Sequence, residues 1–485
     1  MSAGAVDQRP VVAVDLGATS GRVILGYVDH DRLELEEVHR FSNQPVALPG
    51  GLHWDTEALF SEIIEGLRAA ARAARDFVSI GIDSWAVDYA LLTQDGETLG
   101  PPFHYRDPRS EIGVARVDAI LGRQELYERT GVQFLPLNTI YQLASERGRP
   151  ELGRAARLLL IPDLVGYWLT GRQVAERTNA STTGLFDLDR GDWDRDLAEL
   201  VGISRRLFPP VMSPGHHLGP VDMGAQGGGL PVDAVVTLVG SHDTASAVVG
   251  APLEDEGSAY ISCGTWALVG FELEHSIRTE ASRRANFTNE GGVDGRVRFL
   301  RNVTGLWLLD ESVRAWQHGG TVVALDALLA AAAAEPVGGP TFDPNDPAFV
   351  APGDMPARIA EVCMAAGVSA PQTPAAVVRA ILDSLAIAFK HTLADAERLS
   401  GRRARRIHMV GGGSQNALLC QLTANATGLP VMAGPGEATA IGNLLVQARA
   451  HGLIDGDLAT MRDLVRATQP IRAHQPQAQP ERATR

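Results

Sequence analysis

Two glycine-containing turns, each lying between two apolar segments, constrain the fold of this chain more than any other feature. The first lies in residues 11–22 (VVAVDLGATSGR) and the second in residues 258–266 (SAYISCGTW). Each predicts a strand, a tight turn and a second strand. Such a tip directs backbone N–H groups and hydroxyls toward one point, which suits a phosphate group. Two hairpins of this kind, facing each other, would hold the phosphates of one nucleotide between two domains, which implies phosphoryl transfer.

Composition narrows the class of protein. A chain of 485 residues predicts two domains. Its net charge of −15 and the lack of a basic stripe argue against nucleic acid or a membrane as partner. The polar N-terminus lacks the apolar core of a signal peptide. Three scattered cysteines do not suggest a disulfide framework, so a cytoplasmic protein is expected, as a monomer or small homo-oligomer.

Lys390 is the single lysine of the chain. A P-loop needs a Gly-Lys-Ser/Thr triplet and a protein kinase needs a strand lysine, so both classes are excluded. If the protein uses ATP, it must hold the phosphates through backbone amides, hydroxyls and a metal ion.

The hydrophobic pattern predicts a duplicated architecture. Strands are expected at residues 11–15, 22–28, 33–38, 77–82, 234–239 and 407–410, and helices at 56–75 and 374–399. Because the strand–turn–strand pattern restarts at residue 258, we predict an α/β fold of two ribonuclease-H-like (actin-like ATPase) domains flanking a nucleotide and sugar cleft. The expected divisions are an N-terminal extension (1–10), an N-terminal domain (11–252), a C-terminal domain (253–450) and a partly disordered tail (451–485).

Seven segments together resemble the FGGY carbohydrate kinases, in order along residues 11–447. They are residues 15–22 (DLGATSGR), 81–88 (GIDSWAVD), 105–107 (YRD), 130–136 (TGVQFLP), 241–247 (SHDTASA), 264–266 (GTW) and 289–292 (NEGG). The resemblance implies ATP- and Mg²⁺-dependent phosphorylation of a sugar. It is strongest to the branch that converts L-rhamnulose to its 1-phosphate in L-rhamnose degradation. Other ketoses (L-fuculose, L-xylulose), a non-catalytic sugar-binding regulator and an actin- or chaperone-like ATPase remain alternatives.

Asp243 is the candidate general base. It follows an apolar segment and opens a predicted helix, where a carboxylate is favoured. By position alone it would be read as a helix N-cap. The resemblance assigns it instead to accepting the proton of the attacking sugar hydroxyl, with His242 and Thr244 contacting the sugar.

The resemblance also implies an ATP-phosphate site. Asp15 would hold the metal, although a turn-forming aspartate is the simpler interpretation of its position. The other members are Ala18, Thr19, Ser20, Gly21, Arg22, Thr265, Asp310 and Gly412. Gly17 and Gly21 are expected to adopt backbone conformations closed to other residues. Asp310 stands where the family tends to have glutamine, so its contact with ATP is in question.

The remaining candidates concern the sugar. Asp83, Ala86, Asp88 and Asn302 match sugar-contacting positions, and Trp85 offers either an apolar face for a sugar or a core side chain. Ala86 stands where the nearest branch commonly has glycine. Its methyl group would tighten the pocket or change the preferred ketose.

Overall fold

The computed structural model describes residues 9–74, 76–222, 229–231, 233–322 and 324–477. Most of the predicted N-terminal extension and the last eight residues of the predicted tail lie outside the described residues.

The strands of the described residues, in chain order, are β1 Val11–Leu16, β2 Ser20–Val28, β3 Leu33–Ser42, β4 Pro45–Leu48, β5 Gly51–Trp54, β6 Ser79–Ser84, β7 Tyr89–Leu92, β8 Arg157–Leu160, β9 Ala175–Glu176, β10 Phe186–Asp187, β11 Asp192–Trp193, β12 Val211–Met212, β13 His217–Pro220, β14 Val235–Thr237, β15 Ser258–Cys263, β16 Trp266–Leu273, β17 Thr288–Gly291, β18 Val297–Thr304, β19 Arg406–Val410, β20 Val431–Ala433 and β21 Arg472–His474.

The α-helices are α1 Thr56–Ala73, α2 Ser110–Asp118, α3 Arg123–Thr130, α4 Thr139–Ser145, α5 Pro150–Arg154, α6 Ile161–Thr170, α7 Arg177–Ala180, α8 Arg195–Leu200, α9 Asp243–Val249, α10 Glu280–Arg284, α11 Trp307–His318, α12 Leu325–Ala334, α13 Met355–Ala365, α14 Pro374–Ser400, α15 Ala417–Thr427, α16 Ala438–Ala450 and α17 Leu458–Thr468.

Two larger sheets carry the fold. The first has the order β13-β14-β6-β1-β2-β3, and the second has the order β17-β18-β16-β15-β19-β20-β21. In the first sheet β1 pairs antiparallel with β2 and parallel with β6. In the second, β15 pairs antiparallel with β16 and parallel with β19. The strand–turn–strand pattern predicted twice from the sequence is therefore confirmed.

Strand β1 is buried along its whole length because both faces of the first sheet are covered. Val12 and Val14 belong to one apolar cluster, which also contains residues of α1 and α6. Val11 and Ala13 point the other way, into a second cluster with residues of α16 and α17. Such two-sided burial explains why the strand reads as a continuous apolar run rather than an alternating one.

Local capping signals set the ends of the two predicted helices, which begin at the predicted residues and end within two residues of the predicted positions. Asp55 caps α1, its side chain accepting a hydrogen bond from the amide of Ala58. Thr373 caps α14 in the same way, and Gly401 ends that helix in the left-handed conformation (φ 72°).

The chain divides into two compact units, each assembled from separate segments. The first unit consists of residues 1–252, 272–299 and 438–469, and the second of residues 253–271, 300–437 and 470–485. Helix α16 therefore belongs with the first unit, although it follows most of the second in sequence. Within the described residues, no helix is both long and apolar enough to cross a membrane.

The C-terminal segment contributes helix α17 and strand β21 to the fold. Leu458, Met461, Leu464 and Val465 of α17 are buried in the second apolar cluster of the first unit. Strand β21 pairs with β20 at the edge of the second sheet. More of the predicted tail is ordered than its polar composition indicated, because one face of α17 supplies apolar side chains.

Candidate active site

Three carboxylates lie together at the carboxyl-terminal ends of inner strands of the first sheet. Asp15 at the end of β1 is the register partner of Asp83 at the end of the parallel strand β6. The segment before α9 continues the edge, since Ser84 bridges to His242 and its amide donates to the carbonyl of Ser241 at 2.9 Å. Asp243 follows immediately, and the charges of Asp15 and Asp243 both raise the pKa of Asp83. Ligand groups of α/β proteins commonly gather at such carboxyl ends.

Asp83 is completely buried. Asn443 of α16 donates to its Oδ2 at 2.6 Å, whereas its Oδ1 has no hydrogen-bond partner among the described residues. Gly81 permits this approach, because a Cβ there would lie 2.3 Å from the Asn443 side-chain oxygen. Burial, and next the charge of Asp15, hold the pKa of Asp83 well above its usual value. The assignment of Asp83 to the sugar stays a prediction, with Oδ1 as its one unoccupied oxygen.

Asn43, which follows β3, holds the turn between β1 and β2 in place. Asn43 donates from Nδ2 to the carbonyl of Gly17 at 2.8 Å and from its amide to the carbonyl of Thr19 at 3.0 Å. Arg22 forms an ion pair with Asp15, its register partner across the hairpin. The predicted metal residue and the predicted phosphate residue therefore contact each other, and Asn43 is a positioning residue that no motif indicated.

The expectation about the conformations of Gly17 and Gly21 is wrong. Neither has a positive φ. Space is what excludes a side chain: a Cβ at Gly21 would lie 2.2 Å from the Phe41 ring, and one at Gly17 would lie 2.9 Å from the carbonyl oxygen of Ser20. Glycine at these positions permits close approach within the hairpin.

Asp243 is not the N-cap of α9. The cap residue is His242, and Asp243 is the first helical residue. The Thr244 hydroxyl donates to Asp243 Oδ1 at 3.0 Å, and His242 Nε2 lies 3.4 Å from the same oxygen. Burial raises the pKa of Asp243, His242 counteracts this rise, and Asp15 adds to it. About a third of its side chain remains exposed (32%). The structure thus brings His242, Asp243 and Thr244 together as the sequence predicted.

A buried ion pair between Arg298 and Glu290 contacts the Nδ1 side of the His242 ring. Arg298 of β18 is fully buried, and its Nη1 lies 3.1 Å from Glu290 Oε2. Its Nη2 lies 3.0 Å from His242 Nδ1, and its Nε donates to the carbonyl of Gly291. Burial by itself would raise the pKa of Glu290, but Arg298 and then His242 hold that pKa below its usual value. The sequence contained one signal for this pair, the NEGG segment, but no role was assigned to it.

Glu176 holds the strand end that leads to His242. It is completely buried and accepts from the amide and hydroxyl of Ser241 at 3.0 and 2.7 Å. It also accepts from the amide and hydroxyl of Thr178. Burial raises its pKa, while Thr178 and Ser241 counteract that effect. No motif indicated this residue, since an isolated glutamate forms no recognisable pattern.

Asp88 organises an aromatic cluster. Its Oδ2 accepts from the indole nitrogens of Trp54 (2.6 Å) and Trp85 (3.1 Å) and from the amide of Tyr105 (3.1 Å), and its Oδ1 accepts from Gln142 (2.8 Å). The rings of Trp54 and Trp85 lie 4.2 Å apart. Three of these donors lie on Oδ2 and one on Oδ1, and Asp88 is buried (1% exposed). Asp88 therefore holds Trp85 in place, and its direct contact with a sugar stays a prediction.

Ala86 lies in a strained turn between Asp83 and Asp88. Val87 has a φ of 71°, which is rare for a β-branched residue, and the amide of Asp88 donates to the carbonyl of Ala86 at 3.0 Å. Thr139 holds the carbonyl of Val87 at 2.7 Å. Ala86 is partly exposed, so its methyl group is accessible beside Trp85. Strain of this kind is often found at functional sites.

The titration of Asp88 can be observed through its two tryptophans. Burial raises the pKa of Asp88 to about 6. We expect the indole N–H resonances of Trp54 and Trp85 to shift together with a midpoint near that pH. Because the folded-state pKa is raised, the folded state binds more protons than the unfolded chain between the usual value of 3.8 and about 6. This group therefore makes stability fall as pH rises through that window.

The measurement is a pH series of ¹H–¹⁵N NMR spectra. The indoles of the other five tryptophans serve as internal controls. Independent midpoints for Trp54 and Trp85, or none between pH 4 and 8, would contradict a shared carboxylate.

The second unit contains a separate turn cluster. Thr265 lies at the tip between β15 and β16, and its carbonyl accepts from the amide of Gly305 at 3.1 Å. The glycine turn after the neighbouring strand β19 packs on Cys263, since a Cβ at Gly413 would lie 2.5 Å from the Cys263 side chain. Gly411 has the positive φ of this turn (77°), whereas a Cβ at Gly412 would meet nothing within 4 Å.

Asp310 lies nearby, exposed in the first turn of α11. Leu306, the residue before this helix, donates from its amide to the carbonyl of Gly264 at 2.8 Å. The structure therefore brings Thr265, Gly412 and Asp310 to one region of this unit. Asn302 lies on β18, partly buried.

These features define the class of protein. The fold matches solved sugar kinases, for example the ligand-bound xylulose kinase of Lactobacillus acidophilus (TM-score 0.77, 17% identity, 97% of this chain and 94% of that chain). The α/β, actin-like ATPase class predicted from the sequence is thus confirmed.

Family models for the N-terminal and C-terminal domains of the FGGY family of carbohydrate kinases match residues 10–250 and 259–451. This chain belongs to the FGGY family of carbohydrate kinases. It is 43% identical over 475 residues to a rhamnulokinase of Pectobacterium carotovorum subsp. carotovorum (strain PC1), covering 97% of this chain and 94% of that protein. It is 39% identical over 471 residues to a rhamnulokinase of Bacteroides thetaiotaomicron, covering 96% and 95% respectively.

Proposed function

We propose that this carbohydrate kinase transfers the γ-phosphate of ATP to the 1-hydroxyl of L-rhamnulose, giving L-rhamnulose 1-phosphate. The observation that carries the proposal is the near-full-length identity of about two residues in five to rhamnulokinases of two bacteria. The buried free state of Cys263, Cys363 and Cys420 is in keeping with a cytoplasmic enzyme. A monomer or small homo-oligomer is the expected assembly.

In this proposal Asp243 is the general base. Burial raises the pKa of this carboxyl, and its ionised form is therefore a stronger proton acceptor than that of an ordinary aspartate. The Thr244 hydroxyl orients its Oδ1. Because Arg298 faces His242 Nδ1, the imidazole keeps Nε2 on the side of Asp243, where it and the carboxylate can both meet a sugar hydroxyl.

The phosphate side of the reaction is proposed for the two hairpin tips. In the first, the amides of Ala18 and Thr19 donate no hydrogen bond within the described part of the chain, so they are free to bind a phosphate oxygen. Ser20, Gly21 and Arg22 complete this tip. Thr265, Gly412 and Asp310 are the corresponding candidates in the second unit. In-line phosphoryl transfer depends chiefly on such positioning and charge neutralisation.

Asp15 and Asp83 fit a magnesium ion. Mg²⁺ typically takes one or two carboxylates, with waters and substrate phosphates completing its shell. Asp15 supplies such an oxygen, as the sequence predicted, and the neighbouring Asp83 Oδ1, which has no hydrogen-bond partner among the described residues, is a second candidate as the alternative to its predicted sugar contact. When bound with ATP, the ion would neutralise negative charge on the phosphates.

A ketose panel tests the substrate. ATP consumption with Mg²⁺ should be fastest on L-rhamnulose and at least tenfold slower on L-fuculose and L-xylulose. The Ala86→Gly variant removes one partly exposed methyl group beside Trp85, and Gly153→Ala, at a site where a Cβ meets nothing within 4 Å, is the control. A methyl group in a pocket is worth about 1–3 kcal/mol of discrimination. Faster turnover of another ketose would mean that the enzyme is a kinase of that sugar instead. The absence of any sugar-dependent turnover would refute the proposed kinase reaction.

A further inference from the structure

A surface pocket of the first unit is lined by arginine. Its volume is about 1100 Å³, and it contains none of the predicted active-site residues. Its lining has no aspartate or glutamate and holds six arginines, namely Arg147, Arg149, Arg154, Arg157, Arg195 and Arg206.

Two chain segments, together with Gln94, build the pocket. One runs through α5 to the start of β8, and the other runs from α8 to residue 208. Gly202 allows the two to meet, since a Cβ there would lie 2.8 Å from Arg147 Nε and its φ is 78°. Arg195 donates to the carbonyl of Arg205 at 3.0 Å, and Arg157 donates to the carbonyl of Arg206 at 3.3 Å. These bonds fix the guanidinium groups without neutralising them.

The charge of the pocket is almost uncompensated. Arg149 lies 3.6 Å from Glu151, and this is the one ion pair that the six arginines form within the described ranges. Arg205, which does not line the pocket, pairs with both Glu199 and Asp196. Carboxylates are thus available in this region, but they lie outside the pocket. A concentration of unpaired positive charge is unexpected in a chain with a net charge of −15.

We propose that this pocket binds a small molecule carrying several phosphate groups. Like charges within a Debye length, about 8 Å at physiological salt, repel one another, and a multivalent anion relieves that repulsion. Guanidinium groups match phosphate oxygens with two parallel hydrogen bonds. A compact ligand is favoured over a nucleic acid, because the net charge of −15 on the chain as a whole repels an extended polyanion.

Inorganic tripolyphosphate is a suitable probe, titrated by calorimetry into the whole chain without sugar or divalent metal. The Arg154→Gln/Arg206→Gln variant removes two exposed pocket charges. The control, Arg172→Gln/Arg403→Gln, removes two exposed arginines outside the pocket, so the net charge changes equally. We expect the Kd to rise at least tenfold in the pocket variant and less than twofold in the control.

Equal Kd values in the two variants would overturn the proposal, because tripolyphosphate would then bind elsewhere, the nucleotide site included. Tighter binding of a single-stranded RNA oligonucleotide through the same two arginines would also overturn it in favour of a macromolecular partner. Since no turnover is measured, failure of this proposal is separate from failure of the proposed kinase reaction.

Discussion

Replacing Asp243 by asparagine is expected to lower kcat by roughly 10²–10⁴-fold, the usual contribution of a general base. The variant should remain folded. Burial raises the pKa of this carboxyl, so the folded state already disfavours its charge, and a neutral isostere removes that cost. Activity measured with saturating ATP and ketose, alongside the thermal unfolding midpoint, separates loss of chemistry from loss of fold.

The pH profile sharpens this test. A base works ionised, so kcat/KM of the parent enzyme should fall as pH drops through the raised pKa of Asp243. In the asparagine variant that acidic limb should disappear from the residual rate. Asp326→Asn, an exposed position on α12, is the matched control and should leave both rate and profile unchanged. A variant at Asp243 with more than a tenth of the parental kcat would exclude it as the base.

Replacing Arg298 by methionine is expected to cost about 3–5 kcal/mol of unfolding free energy, as is typical when one partner of a buried ion pair is removed. Arg298 is fully buried and lowers the pKa of Glu290 more than His242 does, so its loss leaves a buried carboxylate with only His242 as a neighbouring base. The double variant Glu290→Gln/Arg298→Met should recover more than half of the loss, since both groups are then neutral. Urea unfolding followed by tryptophan fluorescence gives the comparison.

Arg296→Met is the control for this series. Its ion pair with Glu274 has a similar length, 3.1 Å, but both side chains are largely exposed (40% and 66%). Exposed pairs contribute about 0–1 kcal/mol. If Arg298→Met were as stable as Arg296→Met, the buried pair would carry no structural role. A fall in kcat of the double variant, despite its restored stability, would show that the pair also positions His242.

How much of the candidate site could be predicted from the sequence depends on how local each signal is. The SHDT run leads from a buried segment into a helix, and the structure places His242, Asp243 and Thr244 side by side. Asp88 shows the opposite case. Its type and position suited a sugar contact, but only one of its four hydrogen-bond donors, Trp85, is a near neighbour in sequence, and the others lie 17, 34 and 54 positions away. Which groups face a carboxylate depends on packing, and no local pattern encodes it.

The sequence by itself determined the elements whose causes are local. The two strand–turn–strand units follow from apolar runs and tight turns, and the ends of α14 follow from Thr373 and Gly401. The tertiary structure alone decided which distant groups meet. Asn443 donates a hydrogen bond to Asp83, which lies 360 positions away in sequence, and Arg298 contacts His242, which lies 56 positions away. Six arginines line one pocket. The physical reason is that backbone sterics and capping act within a few residues, whereas buried charges and pockets depend on how sheets and helices pack.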